Sequence, residues 1–231
     1  MSRTRVSTDA PSGPSLVVRT VADRVYDTLR QEVLDGRLLP GERLRESILA
    51  QRFGVSVTPI REAITRLSRD GLVSVDRYKG ASVAHHTVRD FEEFYRIRIY
   101  LEVPAARLAT VLASDAALAR IRALADEGDA LDARTDPAAC FRLDLEFHRV
   151  LVGESGNTRL VALATDLHER VQMVRRWLAP LPERWPAATA EHHRIVEAMV
   201  QRDPEGCALA VGIHLDNVRR DVTAALAGRQ G

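Results

Sequence analysis

FGVSVTPIREAITRLSRDGLVSVDRYKGASV, residues 53–83, is the stretch whose reading decides the fold. Gly54-Val55-Ser56 is a turn: the glycine supplies backbone freedom, and Ser56 is placed to cap the helix that follows. Ile60, Ala63, Ile64 and Leu67 then recur at helical spacing and face a core. Thr58, Arg61, Glu62, Thr65, Arg66 and Arg69 fall on the opposite face. A helix apolar on one side, with Arg and Thr on the other, suits the major groove. There Arg pairs with guanine edges, while Thr reaches phosphate or a thymine methyl. Gly71 ends the helix as a C-cap. Residues 72–75 and 81–83 are short and β-prone, and residues 76–80 form a turn between them. The hairpin tip carries Arg77, Lys79 and Gly80, groups that can lie along phosphates or in the minor groove. An ordinary amphipathic helix and hairpin is the competing reading; the order of turn, Arg/Thr helix, glycine stop and basic wing argues against it.

Working outward, a helical pattern of Val21, Val25, Leu29 and Val33 runs from Thr20 to Gly36, and Leu39-Pro40-Gly41 makes a turn. A second helix over about 46–53 carries Ile48, Leu49 and Phe53. Three helices and a wing make residues 19–87 a winged helix-turn-helix domain, preceded by a flexible tail over 1–18 rich in Ser, Thr, Pro and Arg.

The 231 residues are 45% hydrophobic and 28% charged, the balance of a globular chain. No apolar run approaches the ~18 residues of a membrane span. Arg3 and Arg5 are followed by polar residues and proline rather than the apolar core of a signal peptide, so a bacterial cytoplasmic location is expected. Cys140 and Cys207 stand apart without a CxxC, which points to a reducing compartment and two small buried hydrophobes. The net charge of +1 hides an asymmetry. Residues 1–87 hold 14 Arg/Lys against 10 Asp/Glu, a balance of +4, and the remainder holds 19 against 22, a balance of −3. A basic front and an acidic back fit nucleic-acid binding by the first part only.

His85 to Arg89 form the hinge. Residues 88–228 then read as helix, with breaks at Ser114-Asp115, Thr135-Asp136-Pro137, Ser155-Gly156-Asn157, Pro180 to Pro186 and Asp203-Pro204. Six or seven helices and no strand make an all-α bundle, so the chain as a whole is mainly α. Asp144 and His148 sit at i and i+4 on a helix over about 138–152; His192 and His214 lie on two later ones. One carboxylate and three imidazoles from three helices suit a first-row divalent ion such as zinc, nickel or manganese, with positions open to a ligand. Spacing alone leaves the bland reading open, that these are separate, satisfied histidines. It also leaves His193 as an alternative ligand, although it points about 100° away from His192 around the helix. His85 and His86 read as solvated, His168 as lying on a polar helix face, and Phe147, Trp177 and Trp185 as core or lid residues.

With both halves read, the chain resembles GntR-superfamily transcription regulators of the FadR branch with an FCD domain. The resemblance rests on VYDTLRQEVLDGRLLPGERL (25–44), LAQRFGVSVTPIREAITRLSRDGL (49–72), RIYLE (98–102), DLEFHRVL (144–151) with Ser155-Gly156-Asn157, EHHRIVEAM (191–199) and His214-Leu215. It implies a homodimer on a palindromic double-stranded DNA operator, with a small organic acid as effector of the helical domain. It also implies Asp144, His148, His192 and His214 as ligands of a divalent metal, zinc first. Arg98 matches a position near the effector pocket; Asn157, Arg175 and Arg176 are further polar candidates there. In one place the sequence departs from the family pattern: Val57 stands in Ser56-Val57-Thr58-Pro59-Ile60-Arg61-Glu62, where the family commonly has a base-contacting Arg. An Arg–guanine contact contributes about 1–3 kcal/mol of discrimination, so the expectation is a shifted or relaxed operator, with Arg45, Thr58, Arg61 and the wing carrying more of the binding.

The expected function is therefore a ligand-responsive repressor rather than an enzyme. A metal-dependent hydrolase would need a general base beside the ligands, and Glu146 points to the far side of their helix. A further alternative is an architectural DNA-binding dimer with a purely structural metal.

Overall fold

The computed structural model describes residues 19–178 and 182–227; the tail over 1–18 lies outside the described residues, as do the side chains of Arg176 and Trp177. Thr20 opens α1 (Val21–Leu34) with a reciprocal cap: its hydroxyl accepts from the Asp23 N–H at 3.1 Å, and the Asp23 carboxylate accepts from the Thr20 N–H at 2.9 Å. Val25, Leu29 and Val33 fall on the buried face. Helix α2 (Glu46–Phe53) stops at Gly54, whose φ of 65° is a left-handed conformation that side chains disfavour. Helix α3 (Val57–Arg69) buries Ile60, Ala63, Ile64 and Leu67, the four residues the spacing predicts. Ser56 occupies its N-cap with extended backbone, but its hydroxyl makes no capping hydrogen bond, contrary to expectation. Past the end of α3, the Gly71 N–H bonds the Ser68 carbonyl and the Leu72 N–H bonds the Leu67 carbonyl. Leu72 therefore closes the helix rather than starting the strand.

The wing is β1 (Val73–Asp76) paired antiparallel with β2 (Gly80–Val83), Val73 opposite Val83 and Asp76 opposite Gly80. Its tip is set by Asp76, whose carboxylate accepts from the N–H groups of Tyr78 and Lys79 at 2.8 Å each.

The remaining described residues form six α-helices and one 3₁₀ turn: α4 (Val88–Leu112), α5 (Asp115–Asp129), α6 (Pro137–Gly153), α7 (Thr158–Leu178), the turn Pro182–Arg184, α8 (Trp185–Val200) and α9 (Pro204–Ala227). Side-chain caps at Thr87, Ser114 and Asp136, the last with Pro137 in the first turn, explain the starts of α4, α5 and α6. Helix α4 packs along α9, α8 lies against α9 and α5, and α6 sits between α5 and α7. Among the described residues there are thus two apolar cores, one gathered around Leu29, Ile60 and Leu67, the other around Phe91, Tyr95, Phe147 and Ile195. Among the described residues no helix is long and apolar enough to cross a membrane.

Candidate functional site

The second core is not uniformly apolar. Asp144 and His148 of α6, His192 of α8 and His214 of α9 are all buried, and one donor atom from each lies within 4.8 Å of all the others. The three imidazole Nε2 atoms converge on Asp144 Oδ1: His192 at 3.4 Å, His148 at 3.9 Å and His214 at 4.0 Å. The Nε2 atoms of His148 and His214 are 3.2 Å apart. Asp144 Oδ1 and His192 Nε2 have no hydrogen-bond partner among the described residues, although both are buried. Burying unpaired polar atoms is costly, and a divalent cation would satisfy these together. The donor set of one carboxylate oxygen and three imidazole nitrogens therefore fits such an ion.

What surrounds the four side chains fixes their protons. His148 Nδ1 lies 2.7 Å from Glu102 Oε2, and His214 Nδ1 lies 2.8 Å from Glu191 Oε2. The His214–Glu191 contact is a hydrogen bond, which places the His214 proton on Nδ1 and turns its Nε2 lone pair inward, whereas His148 Nδ1 stands beside Glu102 without hydrogen-bond geometry. Burial pushes His214 down to about 3 and His148 down to about 4, against the opposing pull of Glu191 and Glu102. Both rings are therefore neutral near pH 7, the state a metal ligand needs. For Asp144, burial acts to raise its pKa, but Arg175 and the histidines outweigh it and hold the carboxyl well below its usual range. Phe147 stacks on His192 with centroids 4.2 Å apart, which fixes that ring.

Around this cluster lie the polar groups of a small pocket. Arg175 pairs with Asp144 Oδ2, and Arg98 Nε donates to Glu102 Oε1 at 2.6 Å. Both arginines, with Phe141, Leu145, His168 and Val171, line the cavity beside Asp144. Asn157 does not belong here. It is exposed at the start of α7, where its Oδ1 accepts from the Leu160 N–H at 3.1 Å, so it is a helix cap. His193 is also outside: it is partly exposed and bonds Asp129 at 2.8 Å. His168, expected on a polar face, is buried, and its Nε2 bonds Glu102 Oε1 at 2.8 Å.

Sequence reasoning missed Glu102, Glu191 and Tyr95, whose ring centroid lies 5.0 Å from the Arg98 guanidinium. Tyr95, Arg98 and Glu102 share one face of α4 at i, i+3 and i+7, a signal that was present in the spacing. Glu191 adjoins His192 in sequence yet serves His214.

In the winged domain, Arg45, Ser56, Val57, Thr58 and Arg61 are exposed at the starts of α2 and α3, and Lys79 and Gly80 at the wing tip. A groove joins Arg45 and Arg61 to the wing, lined also by Arg43, Thr65, Lys79 and Gly80; Ser56, Val57 and Thr58 lie outside its lining. Arg61 is held in it by Glu46, with its Nη2 2.7 Å from Oε2. Arg66 departs from its expected role. It pairs with Asp23 at 2.6 Å and its guanidinium lies 4.1 Å over the Tyr26 ring, so it fastens α3 to α1.

Residues 21–83 match the family described as bacterial regulatory proteins, gntR family, and residues 93–217 match the FCD domain. The HTH-type transcriptional regulator YdhC of Bacillus subtilis is 32% identical over 193 residues, 83% of this chain and 86% of its own. The Nta operon transcriptional regulator of Aminobacter aminovorans is 32% identical over 76% of this chain and 82% of its own. The HTH-type transcriptional repressor NanR of Edwardsiella tarda is 29% identical over 88% and 85%. Among solved structures, a GntR transcriptional regulator from Rhodococcus sp. superposes with a TM-score of 0.75 at 24% identity, covering 88% of this chain and 98% of that one. E. coli McbR/YncC gives 0.72 at 24%, covering 92% and 99%. These two share the fold.

Proposed function

Because the chain belongs to the GntR family of bacterial transcriptional regulators and carries the family's FCD domain, we propose that it is a repressor that binds a palindromic operator as a homodimer and releases it in response to a small organic acid. Its relatives are transcriptional regulators, not hydrolases, and the hydrolase alternative is set aside on that ground. The observation that carries the effector half is the pair of buried, unpartnered atoms, Asp144 Oδ1 and His192 Nε2, at the meeting point of three inward-facing imidazole edges.

Asp144, His148, His192 and His214 would hold the metal. When bound, a zinc, nickel or manganese ion supplies a Lewis-acidic centre with open positions for a carboxylate. Glu191 keeps the His214 proton on Nδ1, Glu102 stands beside the His148 ring, and Phe147 blocks one side of the His192 ring. Arg98 and Arg175 border the same pocket, each already holding a carboxylate, so an incoming acid shares or exchanges those partners. Ligand binding moves operator affinity only to the extent that it favours one dimer geometry over another.

On the DNA side, Arg45, Thr58 and Arg61 would read the major groove, and Lys79 and Gly80 the adjoining backbone, once in each half-site. Val57, exposed at the first turn of α3, offers a thymine methyl an apolar contact instead of a guanidinium. The dimer is supported by an apolar stripe that no described residue covers: Ile97, Tyr100, Leu108 and Val111 on one face of α4, beside Leu209 and Ile213 of α9. Tyr100 at 76% exposed and Val111 and Leu209 at 65% make a poor solvent-facing surface and a suitable one for a second copy.

The test is fluorescence anisotropy with DNA from upstream of the gene, against a scrambled competitor, across a salt series. A specific complex at least ~10³-fold tighter than the scrambled one is expected. Equal, steeply salt-dependent binding to both would reduce the interaction to phosphate contacts and refute operator reading.

A further inference from the structure

A second cavity lies outside the metal pocket, where the two halves of the chain meet. It is a cleft of about 220 Å³, walled on one side by Arg30, Gln31 and Asp35 of α1 and on the other by Arg142 and Arg149 of α6 and His168 of α7. Among the described residues Arg30, Arg142 and Arg149 line it with one carboxylate, and Arg30 has a partner of its own. That carboxylate is already engaged: Asp35 accepts from Arg37 at 3.0 Å and from Gln31 at 2.8 Å. Arg142 and Arg149 stand seven residues apart, two turns along one face of α6, and neither pairs with a carboxylate among the described residues. Like charges on one wall of a concave surface, as Arg142 and Arg149 are, focus a field that concentrates anions.

The cleft adjoins two functional parts of the molecule. Phe141, Leu145 and His168 line both it and the pocket beside Asp144, so the two cavities share a wall. His168 is 2% exposed; its Nε2 is held by Glu102, which also faces His148, and its Nδ1 has no partner among the described residues. Two residues further along α7, Arg170 donates to the Arg69 carbonyl at the end of α3, at 3.4 Å. It packs so closely over Gly71 that a Cβ there would lie 3.1 Å from Nη1.

We propose that this cleft is an anion-binding site for a small phosphoryl-bearing metabolite, distinct from the metal pocket, and that its occupancy fixes the orientation of the winged domain on the helical one. A phosphoryl group offers several oxygens and up to two charges to guanidinium forks converging from different directions, which one carboxylate does not. Because Arg30 comes from one half of the chain and Arg142 and Arg149 from the other, a ligand touching both binds one relative arrangement better than others. The shared wall makes the two sites energetically linked, so each ligand alters the affinity for the other by the same factor.

The test is calorimetric titration of the full chain with inorganic phosphate at constant ionic strength, with chloride as reference, before and after treatment with a chelator. Saturable binding that survives chelation and falls at least about tenfold in both Arg142→Gln and Arg149→Gln is expected. The control Arg120→Gln, an exposed arginine outside the cleft facing Glu146, should bind as wild type. Binding that disappears with the metal, or that both cleft variants retain, overturns the site. Citrate binding tighter than phosphate through the same arginines overturns the phosphoryl assignment. A phosphate-dependent change in operator affinity, absent from the double variant, is expected for the coupling. That arm alone rests on the DNA-binding reading, so calorimetry and anisotropy can fail independently.

Discussion

The two halves of this chain place their charged groups in opposite ways. In the winged domain a small apolar core lies inside, and the polar residues proposed to meet DNA are exposed: Arg45, Arg61 and Lys79 around one groove, and Thr58 at the start of α3. In the helical domain the candidate site is the centre of the core: Asp144, His148, His192, His214, Glu102 and Arg98 are all at most 3% exposed and ringed by Phe147, Tyr95 and Val171. An exposed reading face costs the fold little and is free to vary. A buried polar cluster must be satisfied completely or it destabilises the domain. Substitutions should therefore separate the halves, with large and coupled effects in the second and small, additive ones in the first.

Removing an inward ligand is expected to have the largest effect. His214→Ala leaves Glu191 without its imidazole partner and the metal without one of four donors, and should lose essentially all bound metal in elemental analysis. DNA binding without effector should persist, which circular dichroism and anisotropy would check together. Next come the cores. Phe147→Ala should cost about 3–5 kcal/mol and Leu67→Ala about 2–5 kcal/mol in denaturant unfolding. Phe147→Ala should weaken metal retention, because it frees the His192 ring, whereas Leu67→Ala should abolish DNA binding with metal intact. Loss of both properties in either variant would erase the distinction between the halves.

Glu102→Gln keeps the shape but weakens the hold on His148, and metal affinity should fall about 10–100-fold by competition with a chromogenic chelator. Unchanged affinity would show that Glu102 serves only Arg98 and His168. On the exposed side, Arg61→Ala should cost about 1–3 kcal/mol of operator affinity without touching metal content. Smallest of all, Lys79→Ala should weaken binding uniformly across sequences and reduce the salt slope by about 1.

The same contrast explains what could be read from the chain. The reading helix was legible because its signals are local: the glycine at φ 65°, four apolar residues at helical spacing and a Gly stop. Where a side chain's neighbours come from elsewhere, local signals mislead. Arg66 has the spacing of a groove contact, but α1 brings Asp23 and Tyr26 against it. His168 reads as lying on a polar helix face, but α4 delivers Glu102 to it. Asn157 sits in a family-like segment and spends its side chain capping α7. Ser56 occupies the cap position with the right backbone and still makes no cap bond. The four inward residues could be named because the resemblance added what spacing lacks; the geometry brings them within 4.8 Å, and which histidines Glu102 and Glu191 stand against emerges only in three dimensions.

The central claim is that the polar centre of the helical domain exists to hold a metal, and elemental analysis tests it most directly. The full chain, reconstituted with zinc and desalted, would be compared with the Asp144→Ala variant checked for folding by circular dichroism. About one zinc per wild-type chain and none in the variant is the predicted result. Wild type retaining no more metal than the folded variant would contradict it, and would leave Asp144, His148, His192 and His214 as a hydrogen-bonded core with no ion at its centre.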